Sequence, residues 1–246
     1  MDLPAQYTQQ YQWRDWPGAY AVLPNLNGKR VLDLGCAIGD QSRDFAEQGA
    51  WVTGMDQNPD LLAIARRRAI PRARFIQGDL SQLGGLQKAS CDLIWSSFTL
   101  AYLTDQAAHI ADWQHYLKPG GYLCLIEVAD LLAHAPLPEH WRAEVLVFYR
   151  RAGAAKRYDF MAGEHLGESV NASGLRLRHQ QTLPDRELAF DGAAPAAVYE
   201  AWRLRLARMP ALVKDLGTAF VEDFLATLRA PTHRSDSRVH LVLAQR

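Results

Sequence analysis

The chain has 246 residues, and its 27 lysines and arginines are balanced by 27 aspartates and glutamates. Apolar residues at 48% and charged residues at 22% are ordinary globular values, which exclude a disordered or fibrous chain, and the length is ample for one large core. A pI near 7.1 argues against holding nucleic acid or an anionic membrane by bulk charge.

The three cysteines, Cys36, Cys91 and Cys124, form no CxxC pair. They are expected as buried thiols of a reducing compartment, with neither a disulfide framework nor a zinc site. Because no His or Cys pair has ligand spacing, no metal is expected. Met1-Asp2-Leu3-Pro4-Ala5-Gln6 lacks the basic and apolar regions of a signal peptide. No uncharged apolar stretch reaches the roughly 18 residues of a membrane span, so the expectation is a soluble cytoplasmic protein.

In chain order, the amino terminus is aromatic, with Tyr7, Tyr11, Trp13, Trp16 and Tyr20 around Arg14. Residues 30–128 then repeat one rhythm of a short β-branched run, a turn and a helical pattern. Strands are predicted at Arg30–Leu34, Trp51–Asp56, Ala73–Gln77, Asp92–Ser96 and Tyr122–Val128, with helices near 40–48, 59–69 and 104–117. This alternation predicts a doubly wound, mostly parallel α/β sheet of seven strands with helices on both faces. Asn58-Pro59-Asp60 reads as an N-cap with proline at the first helical position. Thr104-Asp105 reads as the cap of a later helix, which Gly120-Gly121 is expected to end.

Beyond residue 128 the rhythm changes. Residues 137–172 read as helical, Gly174–Leu183 as a strand and Arg238–Ala244 as the closing strand. Within 186–237, Val198, Trp202, Leu206 and Met209 step at helical spacing, as do Leu212, Leu216, Phe220, Phe224 and Leu228, with Pro210 between the two runs. One domain is expected, with a core of about 25–128, 174–185 and 238–246. Helical insertions at 129–173 and 186–237 and an amino-terminal lid over 1–24 would complete it. Arg203, Arg205 and Arg208 oppose the apolar stripe, which favours the solvent side over substrate binding, and Arg66-Arg67-Arg68 reads as a solvated face rather than a nucleic-acid contact.

The chemistry gathers in the first half. Gly35 and Gly39 in Gly35-Cys36-Ala37-Ile38-Gly39 follow a strand and open a helix, so backbone can approach a ligand there. The spacing differs from the Gly-x-Gly-x-x-Gly of dinucleotide-binding folds. Asp33, Asp56 and Asp79 fall at the carboxyl ends of the first three strands, the edge where open α/β sheets bind ligands. A carboxylate placed like Asp56 can accept both hydroxyls of a ribose.

These motifs resemble the class I S-adenosylmethionine-dependent methyltransferases. Residues 31–40 are similar to the first motif, with Ala37 in place of the usual middle glycine. Asp56, followed by Gln57, is similar to the ribose acid, and Asp79-Leu80 to the adenine-reading pair. Cys91-Asp92-Leu93-Ile94-Trp95-Ser96-Ser97 resembles the fourth-strand motif, and Leu117-Lys118-Pro119-Gly120-Gly121 the turn into the fifth strand. The resemblance covers about residues 28–128.

It implies S-adenosylmethionine as cofactor, bound by Arg14, Asp33, Gly35, Cys36, Ala37, Gly39, Asp56, Gln57, Asp79, Leu80 and Ser96. Asp33 would receive the ammonium, and Arg14 would pair with the methionine carboxylate if the aromatic segment folds over the cofactor. Alternatively, those aromatics pack the segment onto the sheet edge.

Small-molecule relatives carry a histidine after the fourth strand, where Ala101 stands here in Ser96-Ser97-Phe98-Thr99-Leu100-Ala101-Tyr102. Glu127 and His134, at or just beyond the fifth strand, are the candidate catalytic side chains, each with a structural reading beside it. The implied activity is methyl transfer to an N, O or S nucleophile of a small metabolite. RNA or protein methylation, and cofactor binding without turnover, are the alternatives, with a nucleic-acid partner disfavoured by the neutral charge. The two insertion helices are expected to cap the substrate pocket or to form a dimer interface; the oligomeric state stays open.

Overall fold

A computed structural model describes residues 3–103 and 105–246. Two short helices, α1 (Leu3–Tyr11) and α2 (Trp16–Tyr20), open the chain. The core follows as β1 (Arg30–Leu34), α3 (Asp40–Glu47), β2 (Trp51–Asp56), α4 (Pro59–Arg67), β3 (Ala73–Gln77), β4 (Cys91–Ser97), α5 (Gln106–Trp113) and β5 (Leu117–Ala129). Then come β6 (His134–Ala135), α6 (Glu139–Ala154), α7 (Ala162–Ala172), β7 (Arg176–Leu183), α8 (Ala196–Ala207), α9 (Pro210–Arg229), β8 (Arg234–Ser235) and β9 (Arg238–Gln245). The main sheet has seven strands in the order β3-β2-β1-β4-β5-β9-β7, and β9 runs antiparallel to both of its neighbours. The predicted doubly wound class is the observed one.

Both faces of the sheet are covered, which is why its central strands read as nearly continuous apolar runs. Val31, Val52, Trp95 and Ile126 point to one face, against Phe45 of α3 and Trp16 of α2. Leu32, Leu34, Met55, Ile94 and Leu125 point to the other, against Ile110 and Trp113 of α5 and Leu166 of α7.

Local signals explain most boundaries. Asn58 Oδ1 accepts from the amides of Asp60 and Leu61, and Pro59 takes the first helical position of α4. Asp105 caps α5 by accepting from the Ala108 amide, while Thr104, expected to share that cap, lies outside the described residues. Gly120-Gly121 does not end α5. The helix stops at Trp113, one tighter turn follows over Gln114–Tyr116, and Leu117 already pairs with Cys91. The fifth strand therefore starts five residues early, because sheet pairing outweighs the turn signal in Pro119-Gly120.

The insertions are not appended to the core. Trp202 of α8 and Phe220 and Phe224 of α9 are fully buried, in one apolar body with Trp141 of α6 and Ile126 of the sheet. Each such side chain contributes roughly 1.5–3 kcal/mol by leaving water. The small β6–β8 ribbon that ties this region together has no alternating sequence pattern and went unpredicted. Cys36 and Cys124 are buried as expected, whereas Cys91 is only partly buried. Among the described residues no helix is long and apolar enough to cross a membrane.

Candidate active site

The carboxyl ends of β1 to β4 form the floor of a crevice. After β1 the chain turns through Gly35 (φ +79°), Ala37 (φ +45°) and Gly39 (φ +83°), left-handed conformations that explain the two glycines. The loop is tied to β2: the amides of Gly35 and Cys36 donate to Met55 O at 2.8 and 3.1 Å. A Cβ on Gly35 would fall 2.1 Å from Thr99 Oγ1, so the loop after β4 lies directly over the first loop. A Cβ on Gly39 would meet the Phe75 ring at 2.9 Å, beneath the loop.

The three carboxylates stand where the strand ends place them. Asp56 accepts from the amides of Ala37 at 2.9 Å and Asn58 at 2.8 Å, one on each oxygen, which leaves a free lone pair on each. Asp33 is buried, accepts from Ser42 Oγ at 2.6 Å and has no salt-bridge partner among the described residues. Burial, reinforced by the charges of Asp56 and Asp44, raises its pKa to about 7. Asp79 is exposed, and its bond from Ser81 lowers its pKa. Beside it the Leu80 side chain is buried and its carbonyl accepts from Trp113 Nε1. Gln57 is exposed, and the Ser96 hydroxyl is buried without a partner among the described residues.

Above this floor the remaining elements bring together groups that sequence spacing does not relate. Burial raises the pKa of the Tyr7 hydroxyl, from α1, with the charge of Asp56 adding to the rise and those of Arg208 and Arg205 opposing it. Tyr102, just after β4, is 62% exposed, and the surrounding protein raises its pKa. Its ring meets the edge of Tyr158 at 4.8 Å. From the end of α8, Arg205 donates to Glu187 at 2.6 Å while stacking over Trp202. Glu187 has no exposed side chain, and Arg205 with Arg14 holds its pKa down to about 2 despite the opposing cost of burial.

Several expectations need correction here. Arg14 is not free for a methionine carboxylate: Nη1 reaches Asp185 at 2.9 Å and Nη2 reaches Glu187 at 2.7 Å, and the guanidinium lies over Phe98. Both prongs of its fork are committed to carboxylates too far away in sequence for the motif to reveal. The aromatic segment packs onto the sheet, Trp16 stacking with Tyr11 and Tyr20 and meeting Trp95.

His134 sits in the β6–β8 ribbon, buried against Trp202 and Phe224 with Nδ1 2.8 Å from Nε2 of His233. Burial and the neighbouring imidazole lower its pKa to about 3, so it belongs to packing rather than to the cleft. Glu127 does lie at the cleft, beneath the turn after β4. One oxygen accepts from the Ala101 amide at 3.2 Å and the other has no partner among the described residues. Burial raises its pKa to about 8.

Of the arginines expected in solvent, Arg203 is exposed on Glu200, whereas Arg205 is turned inward. Arg66 donates to the Phe75 carbonyl and Arg68 pairs with Asp40, so that run serves the fold. Sequence reading did not single out Tyr102, Tyr158 or Glu187, while Arg208 is exposed as expected. Only Tyr102, adjacent to Ala101, carried a positional signal.

Comparison with known proteins agrees with the geometry. Residues 32–125 match the family model described as a methyltransferase domain. The chain is 32% identical over 181 residues to the demethylmenaquinone methyltransferase of Tropheryma whipplei, covering 69% of each chain. It is 35% identical over 126 residues to the trans-aconitate 2-methyltransferase of Deinococcus radiodurans, covering 50% of this chain and 47% of that one. A crystal structure of an S-adenosylmethionine-dependent methyltransferase from Mesorhizobium loti superposes with a TM-score of 0.58 at 23% identity, covering 94% of this chain and 97% of the other, a likeness of fold. The chain belongs to the class I S-adenosylmethionine-dependent methyltransferases. It spans about half to two thirds of the length of the curated relatives it matches.

Proposed function

We propose that the chain binds S-adenosylmethionine in the crevice and catalyses transfer of its methyl group to a nucleophile of a small metabolite. The observation that carries this reading is the set of carboxylates at three successive strand ends, above a glycine loop tied to Asp56. The site suits the cofactor chemically. Asp33 is a buried acid without a cation, and an ammonium beside it would hold it ionised. The free lone pairs of Asp56 suit two ribose hydroxyls, with Gln57 adjacent, and exposed Asp79 beside Leu80 suits an adenine amino group. Gly35, Ala37 and Gly39 offer close backbone approach, and Ser96 an unpartnered hydroxyl. Cys36 contributes main chain only, because its thiol is buried against Gly54. When bound, the cofactor supplies an electrophilic methyl group.

The chain's own part is alignment and exclusion of water. Ala101 offers no base, and Glu127, the one candidate acid at the cleft, holds its proton at neutral pH and braces the turn that carries Tyr102. The names of curated relatives, which include trans-aconitate, ubiquinone-biosynthesis and demethylmenaquinone methyltransferases, support a small-molecule acceptor rather than RNA. We assign the α8–α9 pair to the roof of the acceptor pocket.

Calorimetry tests the cofactor step. S-Adenosylhomocysteine should bind in the micromolar range, about −8 kcal/mol. Tight binding of a nicotinamide dinucleotide with no response to S-adenosylhomocysteine overturns the assignment. Transfer of label from methyl-tritiated cofactor into the small-molecule fraction of a cell extract, and not into RNA or protein, tests the acceptor class.

A further inference from the structure

The cover of the sheet has one opening, because one crossover carries no helix. The chain returns from β3 past β2 and β1 to β4 through residues 78–90, which form neither helix nor strand. This crossover runs opposite in direction to the one from β1 to β2, so right-handedness puts it on the face away from α3. Leu83 and Leu86 of the segment pack on that face beside Leu32 and Met55. They do not fill it, and a cavity of about 790 Å³ remains at the strand starts.

Arg30, Trp51, Ala73 and Cys91, the first residues of β1, β2, β3 and β4, all line this cavity. The cofactor crevice lies a strand length away, at the carboxyl ends. Gly28 and Gly85 also line the cavity, and a Cβ on either would meet nothing within 4 Å, so its rim is open.

Three guanidinium groups, from Arg30, Arg72 and Arg74, line the cavity, and no carboxylate does. None of the three lies within salt-bridge distance of an acid among the described residues. Arg74 Nε donates to Thr53 Oγ1 at 3.0 Å, which lays that side chain across β2. Arg72 donates to the Gly49 carbonyl at 3.0 Å and stands over the Trp51 ring, 5.5 Å from its centroid. Both acceptors are neutral, and a guanidinium has five N–H donors. Asp92, at the start of β4, is already taken by the Arg30 amide at 2.8 Å and by Lys118 at 2.7 Å. Trp51 itself is 57% exposed.

We propose that this cavity binds a small phosphate monoester carrying a flat ring, a compound the size of a mononucleotide. Its volume lies within the range of small-molecule sites, about 300–1,000 Å³, which leaves room for an organic body beside the phosphate. One guanidinium fork satisfies a carboxylate, whereas a phosphate dianion has three oxygens to share among arginines from different strands. The exposed indole supplies a stacking surface for the ring. A second copy of this chain suits the cavity poorly, because a two-fold contact would set the same arginines against one another. The site is independent of the methyltransferase reading, which concerns the other end of the strands.

Calorimetry on the full chain saturated with S-adenosylhomocysteine tests this. The probes are UMP, AMP, their nucleosides, inorganic phosphate, citrate and an RNA oligonucleotide. UMP or AMP should bind at submillimolar concentration with the crevice filled, and its nucleoside at least tenfold more weakly. Arg30→Gln and Arg74→Gln should each weaken the nucleotide roughly tenfold, the scale of a lost charge-assisted bond, with an unchanged unfolding midpoint. Trp51→Ala should weaken the nucleotide and leave inorganic phosphate as it was. Arg203→Gln is the control, because Arg203 pairs with Glu200 on α8.

No nucleotide binding at millimolar concentration, a nucleoside binding as well as its nucleotide, or parental affinity in both arginine variants would each overturn the proposal. Binding that disappears when S-adenosylhomocysteine is added would place the nucleotide in the crevice and overturn it too. So would citrate binding as tightly as the nucleotide, RNA binding more tightly than either mononucleotide, or a dimer that Trp51→Asp dissociates.

Discussion

The strand-end acids and the ion-pair network joining the amino terminus to α8, the floor and the proposed roof of the cleft, are built on opposite electrostatic plans. On the floor, Asp33, Asp56 and Asp79 are held by nearby hydroxyl and amide donors, and none is neutralised by a cation among the described residues. On the roof, Arg14, Arg205, Asp185 and Glu187 neutralise one another across separations as large as 173 residues. The floor is thus a local design, each acid kept in place by its own turn and open to a donor-rich ligand. The roof is a network that exists only once the amino terminus, the segment after β7 and α8 have met. An error in a floor acid should disturb ligand binding, and an error in the roof should disturb folding first.

The largest effect should come from breaking the roof network. Glu187→Ala leaves two buried guanidinium groups without their shared partner and should cost about 3–5 kcal/mol of stability by urea unfolding. A loss below about 1 kcal/mol would show that water replaces the carboxylate and that the network is not buried in solution. Phe224→Ala, beneath the same roof, should cost a comparable 3–5 kcal/mol, whereas Val213→Ala on the exposed side of α9 should stay within about 0.5 kcal/mol. Equal costs at the two positions would contradict the orientation of α9. Phe220, fully buried, is for the same reason a folding residue and no probe of dimerisation.

The floor should answer differently. Asp56→Ala should weaken S-adenosylhomocysteine binding by about 1.5–3 kcal/mol in calorimetry, while moving the unfolding midpoint much less than Glu187→Ala does. A variant that binds like the parent would place the ribose elsewhere.

The smallest effect is a slope. Burial raises Asp33 to about 7 and Glu127 to about 8, whereas the ordinary values are 3.8 and 4.5. Between pH 4 and 8 the folded chain therefore keeps protons that the unfolded chain has lost, so these groups make stability fall as pH rises through that window. Glu127→Gln removes one titration but keeps the acceptor for the Ala101 amide. Its stability relative to the parent should be higher at pH 8.5 than at pH 5.5. Identical differences at both values would mean that Glu127 ionises normally in the folded protein.

Much of the floor was legible before any coordinates, and β1, β2 and β3 run over the expected residues. Asn58-Pro59 starts α4, and Asp33, Asp56 and Asp79 stand at the strand ends where a parallel sheet must put them. Each signal acts over a few residues: β-branched runs extend, a cap and a proline start a helix, and a glycine takes a positive φ. Helical spacing likewise announced α8 and α9 and the apolar faces that they bury.

Only tertiary structure decided what those helices do at their polar edges. An arginine opposite an apolar stripe has the same sequence signature whether it meets water, as Arg203 does, or a buried Glu187, as Arg205 does. Position on a helix fixes an angle around its axis and says nothing about what lies opposite. The same holds for Arg14, which the motif context assigned to a ligand and which the fold spends on Asp185 and Glu187. His134 looked like a cleft residue by proximity to β5, yet two-residue pairing with β8 carries it into the core. Local propensity and period determined the sheet, its helices and the acids at its edge. Long-range charge pairing and burial, which depend on where distant segments meet, determined the network of Arg14, Arg205, Asp185 and Glu187.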